Sequence, residues 1–507
     1  MDSKQLTSGL HDLSTFISHY WSTLKSRQVG VLPDRSKITP GYLLPLLPNK
    51  APENSEELQS ILNDVRDKIL PGVTHWHHPN FHAYFPTACS SPAILGDVLA
   101  SAIAPVGFTW IACPASTELE VIVLDWLARA MDLPEKFLFS DSNKGKAHFG
   151  GGTIECSASL ACATLTMGLR DRKLNELKRE WNSENDARLR GKGPGALVDR
   201  MIVYLSDQAH SSVPRACHVA MIRCHMIKTV TTGRQRIFES SALSEAIEED
   251  IKNGFLPLLC VATLGTTNTC EFDNIAEIGK VCNERGIWFH VDAAYAGAAL
   301  LCPEYRHFAR GLELADSFCF NPHKLMLVNF DCSVLWLHDH RVLSEAFRED
   351  PVYLRDACDT MPEFRNWSIN LGRRFRSLKI WFVLRMFGLE GIRKLIRQHA
   401  ALAKRFESLL AKDDRFEIVN DVRFGLVCFR LKASEGDNAK TMALQEALLR
   451  QNRIYLVAGS VPSNNSESAT LYFLRFVGNL QTAMEDVDFA YSVLNETTTE
   501  VLKQSDF

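Results

Sequence analysis

Lys324 closes the motif Asn321-Pro322-His323-Lys324, just behind a short apolar segment, Ser317-Phe318-Cys319-Phe320. Asp292 ends a second apolar run, Ile287-Trp288-Phe289-His290-Val291, and opens the small-residue turn Asp292-Ala293-Ala294-Tyr295-Ala296-Gly297. A lysine and a carboxylate at the ends of neighbouring strands meet two needs of a pyridoxal phosphate site. The amine forms a Schiff base with the aldehyde, and the acid keeps the pyridine nitrogen protonated so that the ring accepts electrons. His323, next to the lysine, is placed to reach the phosphate. A single Asp and Lys taken at random are more often plain surface residues; their strand-end context argues otherwise.

Other segments extend the pattern. Phe149-Gly150-Gly151-Gly152-Thr153 precedes Cys156-Ser157-Ala158-Ser159 and an apolar helix through Met167. A small-residue turn entering a helix presents free N–H groups and a positive dipole end, which suits a phosphate. His210 follows a strand beside Asp207, Ser211 and Ser212, and is read as a ring-stacking or proton-moving group; Thr267, in the Gly265-Thr266-Thr267 turn, is a candidate hydrogen-bonding group near a cofactor. Trp76, Tyr84, Phe85, Pro86, Phe108 and Trp110 form an aromatic-rich set suited to a flat ring as well as to plain core. Residues 341–367, with Pro351 and Pro362, read as a long lid-like loop carrying Tyr353, a candidate acid for protonating a carbanion.

The elements that must position these groups follow from periodicity. Strands are expected at 201–205, 258–263 and 287–291, with a helix capped by Asp273 and closed by Gly286 between the last two. Alternation of this kind implies a mainly parallel sheet with ligands at the C-terminal strand ends. The expected division is a helical, Pro-punctuated segment over 1–95 that drapes over another domain or a partner subunit, a large cofactor domain over 96–380, and a small C-terminal α/β domain over 381–507. Its strands are expected at 416–419, 426–430 and 471–475.

Bulk properties narrow the class. With 507 residues, 46% hydrophobic and 23% charged, the chain is that of a multidomain globular protein. A net charge of -4 gives no reason to expect nucleic acid or a membrane surface as partner. Fourteen cysteines without a Cys-x-x-Cys pair read as free thiols in a reducing compartment, so a cytoplasmic protein is expected. His75, His77, His78 and His82 lack matching ligand spacing, and packed roles are expected rather than a metal.

The motifs around Lys324 and Asp292, with Ser206-Asp207-Gln208-Ala209-His210-Ser211-Ser212 and Leu371-Gly372-Arg373-Arg374-Phe375-Arg376-Ser377-Leu378-Lys379, resemble the group II pyridoxal phosphate decarboxylases over about residues 10–490. The resemblance implies a fold-type I aminotransferase-like α/β homodimer with its site at the subunit interface, acting on a small aromatic L-amino acid. It implies Lys324 as the Schiff-base lysine, Asp292 as the ring-nitrogen partner, His210 as the stacking histidine and Tyr353 as the catalytic loop tyrosine. Ala158, Ser159, Asn321 and His323 match phosphate positions; Thr267 and Ala294 match cofactor contacts. The substrate pocket falls on Trp76, Tyr84, Phe85, Pro86, Thr87, Val106, Phe108, Leu371 and Gly372, with Val106 and Phe108 closing it from the other subunit. Three residues depart from the family pattern: Leu325 for Trp, Cys156 for Gly and Leu160 for Glu. Aldehyde-forming relatives lose the loop tyrosine or the ring histidine, and histidine decarboxylases carry Ser at the Gly372 position. The expected activity is therefore plain decarboxylation to the arylalkylamine and CO2, with an aromatic acetaldehyde synthase or a histidine decarboxylase as the alternatives.

Overall fold

Met201–Ser206 and Trp288–Asp292 are buried at every position. A strand with no inside–outside alternation needs cover on both faces, which is how parallel sheets are built. The computed structural model describes residues 2–139, 149–180, 195–349, 351–352, 361–434, 437–463 and 470–504. Its contacts divide into two compact units, Met1–Pro86 with Ala401–Ile418 and Gly425–Phe507, and Thr87–Ala400 with Val419–Phe424.

The first unit opens with α1 (Ser3–Lys25), whose N-terminus is capped by the Asp2 carboxylate accepting from the Lys4 and Gln5 N–H groups, and with α2 (Leu58–Asp64). The N-terminal residues thus share one unit with the C-terminal ones. Phe81, Ala83 and Val31 pack with Tyr455 and Val457, and the His82 N–H donates to the Tyr455 carbonyl at 2.9 Å. His78 and His82 are buried, which pushes their pKa values to about 4 and about 3, so both are neutral core imidazoles.

The second unit holds helices α3 (Ser91–Ile103), α4 (Pro114–Met131), α5 (Ala158–Glu180), α6 (Gly195–Val198), α7 (Ser212–Ala220), α8 (Ser240–Lys252), α9 (Ile275–Glu284), α10 (Pro322–Leu325) and α11 (Arg341–Ser344). Its strands are β1 (Gly151–Glu155), β2 (Met201–Ser206), β3 (Arg223–Ile227), the hairpin β4 (Val230–Thr232) and β5 (Gln235–Ile237), β6 (Leu256–Thr263), β7 (Trp288–Asp292), β8 (Ser317–Phe320) and β9 (Ser333–Leu337). Seven of them form one sheet in the order β1-β9-β8-β7-β6-β2-β3, with β9 antiparallel to both neighbours and the block from β8 to β3 parallel. Leu165 and Leu169 of α5, Val213 and Cys217 of α7, and Val203, Leu205, Leu259 and Val261 of the sheet share one core. The long helix α12 (Arg376–Leu410) breaks its helical geometry at Gly388, φ 63°. The first unit is completed by an antiparallel sheet, β10 (Phe416–Ile418), β11 (Leu426–Leu431), β13 (Thr470–Val477) and β12 (Val457–Pro462) in that order, and by α13 (Ala439–Gln451) and α14 (Met484–Gln504).

Two local expectations are corrected. The glycine stretch expected to be a turn is β1 itself from Gly151, and the turn begins only at Cys156. A Cβ at Gly151 would come within 2.6 Å of Phe139, and one at Gly152 within 2.7 Å of the Trp336 Nε1. These glycines serve close packing against aromatic rings. The cap of α9 is Asn274 rather than Asp273. The Asp273 carboxylate faces inward and accepts the Thr263 N–H at 2.7 Å. Gly286 closes this segment with φ +63°, the left-handed conformation that favours glycine.

Candidate active site

The parallel strands deliver their C-terminal residues to one edge of the sheet. Asp292 ends β7, directly opposite Thr263 of β6 and Cys319 of β8. Lys324 follows β8 through the single turn of α10, where Pro322 takes the first helical position and the Lys324 N–H donates to the Asn321 carbonyl at 3.0 Å. Asp292 is only 4% exposed. Its Oδ1 accepts the Ala294 N–H at 3.0 Å and the Cys319 S–H at 3.6 Å, while no described residue bonds Oδ2.

His210 lies in the turn after β2, and its Nδ1 accepts the Ser212 N–H at 3.1 Å beside the Ser212 hydroxyl at 2.9 Å. The ring is open at the surface of the chain, yet the atoms packed around its other side lower its pKa. The Lys324 charge acts in the same sense, and Asp292 opposes both. The three groups therefore lie within each other's fields.

The phosphate-type positions gather in two places. At the start of α5 the Ser157 hydroxyl accepts the Leu160 N–H at 3.2 Å and the Ser157 carbonyl accepts the Ala161 N–H at 3.0 Å. The Ala158 and Ser159 N–H groups belong to the first turn and by position have no intrahelical acceptor. The Asn321 Oδ1 accepts the Ser333 hydroxyl at 2.7 Å, and the His323 Nδ1 accepts the Cys332 N–H at 2.9 Å. Burial, with the Lys324 ammonium adding to it, holds the His323 pKa near 4. His323 is thus a neutral imidazole whose proton sits on Nε2. Ala294 ties the two strands together, its carbonyl accepting the Asn321 N–H at 3.1 Å. Thr267 is half-buried in the loop after β6, beside the hydrogen-bonded Thr266 and Thr269. Of the residues departing from the family pattern, Leu325 is core and Leu160 is half-buried. The Cys156 Sγ accepts from the Arg376 guanidinium at 3.6 Å.

The substrate-type residues fall into two groups. Val106 stands 3.7 Å from the Cβ position of Gly372, the Gly107 N–H donates to the Arg373 carbonyl, and the Phe108 carbonyl accepts the Arg365 N–H. Leu371 is exposed beside them, and Thr87 is half-buried in the same unit. Trp76 and Tyr84 stack at 5.2 Å in the other unit, where the Tyr84 and Tyr455 hydroxyls lie 3.0 Å apart and Arg475 covers the ring of Phe85, followed by buried Pro86. Tyr353 lies outside the described residues.

Sequence reasoning missed Glu155, and it read Cys319 only as a buried free thiol, which it is. Glu155 ends β1 just before the Ser157 turn, and its Oε2 accepts the Ser368 hydroxyl at 3.2 Å. Burial pushes its pKa up to about 7, against the opposing charge of Arg373. The folded chain therefore binds a proton here between about pH 4.5 and 7 that the unfolded chain releases, so stability from this group is full at low pH and is lost as pH rises through 7. Glu155→Gln should remove that slope, worth about 3 kcal/mol at most. Denaturant midpoints of both proteins at pH 5 and pH 8 give the comparison, and parallel pH profiles would contradict it.

A lysine amine, a buried carboxylate with one oxygen unbonded by any described residue, and helix-start N–H groups backed by a neutral histidine fit pyridoxal phosphate. Fold and site together define a pyridoxal phosphate enzyme of the aminotransferase-like α/β class. The profile of the pyridoxal-dependent decarboxylase conserved domain matches residues 40–432, and the chain belongs to that family. Aromatic-L-amino-acid decarboxylase of Drosophila melanogaster is 43% identical over 491 residues, 96% of this chain and 89% of that protein. The crystal structure of Oryza sativa TDC with PLP and tryptamine superposes with a TM-score of 0.89 at 34% identity, covering 99% of each chain. Rhodiola rosea 4-hydroxyphenylacetaldehyde synthase gives 0.86 at 34% identity, again over 99% of each chain.

Proposed function

We propose that the protein decarboxylates an aromatic L-amino acid to the arylalkylamine and CO2, as a cytoplasmic homodimer using pyridoxal 5′-phosphate. The observation that carries the reaction is the placement of Asp292 at the end of β7 and of Lys324 on the one-turn helix that follows the adjacent parallel strand β8, in a chain of this family. The substrate class follows the aromatic-L-amino-acid decarboxylases, which are 42–45% identical over most of the chain. When bound, the cofactor accepts the electron pair left on Cα as CO2 departs.

In this reading Lys324 tethers the cofactor, Asp292 keeps its ring nitrogen protonated and His210 lies against the ring. Ala158, Ser159, Asn321 and His323 hold the phosphate, His323 as a neutral Nε2 donor, and Thr267 and Ala294 complete the cradle. Trp76, Tyr84, Phe85, Pro86, Thr87, Leu371 and Gly372 are assigned to the aromatic side chain, with Val106 and Phe108 closing the pocket of the second subunit. Residues 1–95 are assigned as the segment that packs on that subunit, 96–380 as the cofactor domain and 381–507 as the small domain. A stripe of exposed Leu95, Val98, Leu99 and Ile103 along one face of α3 supports the dimer. Free thiols at every described cysteine support a reducing compartment, and among the described residues no helix is long and apolar enough to cross a membrane. The test is a panel of tryptophan, 5-hydroxytryptophan, DOPA, tyrosine and phenylalanine, with histidine and glutamate as controls, read as amine and CO2. Turnover of histidine or glutamate alone would overturn the aromatic assignment.

Tyr353 is assigned as the proton donor to Cα. Tyr353→Phe should still release CO2, but with no hydroxyl at hand the electron-rich Cα waits longer and dioxygen competes for it. The product should shift from amine toward aldehyde, ammonia and peroxide in air. Product analysis under air and under nitrogen decides; amine at the wild-type rate with no aldehyde in air would move the proton to His210.

A further inference from the structure

We propose that Cys319 is a positioning residue for Asp292: its thiol and the Ala294 N–H together select which carboxylate oxygen is presented to the cofactor's ring nitrogen. The proposal rests on the assignment of Asp292 as the ring-nitrogen partner. Cys319 sits directly opposite Asp292 in the β7–β8 register, and the Ala293 N–H donates to the Cys319 carbonyl at 2.9 Å, so backbone bonds fix the two side chains relative to each other. Its Sγ lies 3.6 Å from the Asp292 Oδ1, the atom that also accepts the Ala294 N–H. Both bonds are given to the same oxygen, and Oδ2 is bonded by no described residue. A buried carboxylate oxygen held by a single donor would still let the group rock about that bond; a second donor, from the neighbouring strand, opposes the motion.

The thiol is suited to the task. Cys319 is buried, and Cys162 of α5, which lies within its electrostatic reach, is buried as well. Burial and the Asp292 charge raise both thiols well above their ordinary pKa, so each remains an S–H group and neither competes as an anion. A thiol is a weak donor on a large, polarisable atom, so it can orient the carboxylate without neutralising it.

The experiment compares Cys319→Val, a branched side chain without a donor, with Cys319→Ser, which restores one. Pyridoxal phosphate affinity of each apo-protein is measured by equilibrium dialysis, and the visible absorbance of the bound cofactor is titrated against pH. Losing one such hydrogen bond should weaken affinity about three- to tenfold in the valine variant and move the spectral transition to lower pH. The serine variant should recover both, with apo-protein melting temperatures close to wild type. Equal losses in the two variants mean that the site needs only sulfur-sized packing, and no change in the valine variant means that the thiol does nothing; either result overturns the proposal. If the valine variant does not fold, Cys319→Ala supplies the donor-free comparison. Asp292→Asn is titrated in parallel: if it too keeps affinity and profile, the assignment of Asp292 falls, and the thiol's role with it.

Discussion

Lys324→Ala should lose turnover by at least about three orders of magnitude, together with the visible absorbance of the bound cofactor. The side chain sits on a one-turn helix and is half-buried, so its removal leaves the strands and their core intact. The backbone contacts of the turn remain as well, because the Lys324 N–H to Asn321 carbonyl bond does not depend on the side chain. The variant should therefore fold, keep the wild-type circular dichroism spectrum and hold the cofactor, if at all, without a covalent link. Product assay and absorbance on the same sample test this, and an unchanged visible band would falsify the assignment of Lys324.

Asp292→Asn should lower kcat on the order of 10²- to 10³-fold while leaving the fold unaltered. The geometry makes this a sharp substitution. Oδ1 receives two donors, so the asparagine must put its oxygen there to keep them. Its NH2 group then takes the place of Oδ2 and faces the ring nitrogen donor to donor. Ring protonation is lost because the charge is gone and because the amide presents the wrong polarity. Steady-state kinetics with the cofactor held at saturation separate this loss from weaker binding, and near-wild-type kcat would mean that another group protonates the ring.

The parts of the fold that were legible in sequence are those where one signal dominates. The runs at 201–205 and 287–291 are apolar without alternation, and β2 and β7 appear there within a residue at each end. Position at a strand end was equally readable, which is why Asp292 and Lys324 stood out. Register was not, because nothing in Phe318-Cys319-Phe320 says which of its residues faces Asp292. The thiol contact depends on that pairing alone. Glycine carried two opposite meanings: at Gly286 it marks the left-handed residue expected after a helix, while at Gly151 and Gly152 it marks close approach to Phe139 and Trp336 inside a strand. Propensity cannot distinguish these, since the deciding atoms lie far away in sequence. The same holds for Asp273 and Asn274, adjacent good capping residues, of which one was drawn inward by the Thr263 N–H.

The placement of β1 beside β9 bears on how the protein is made. Glu155 pairs with Ser333, so the edge strand waits for a partner about 180 residues later in the chain. At a synthesis rate of about 5–20 residues per second, roughly ten to thirty-five seconds pass on the ribosome before that partner exists. A strongly strand-forming segment left open for so long would be a template for aggregation. Gly151 and Gly152 make this segment a poor strand by itself, and the space at Gly152 is filled only when Trp336 of the late partner strand arrives. The turn at Ser157 hangs from the same strand. The strand that carries this turn therefore cannot find its sheet partner until about two-thirds of the polypeptide has been made.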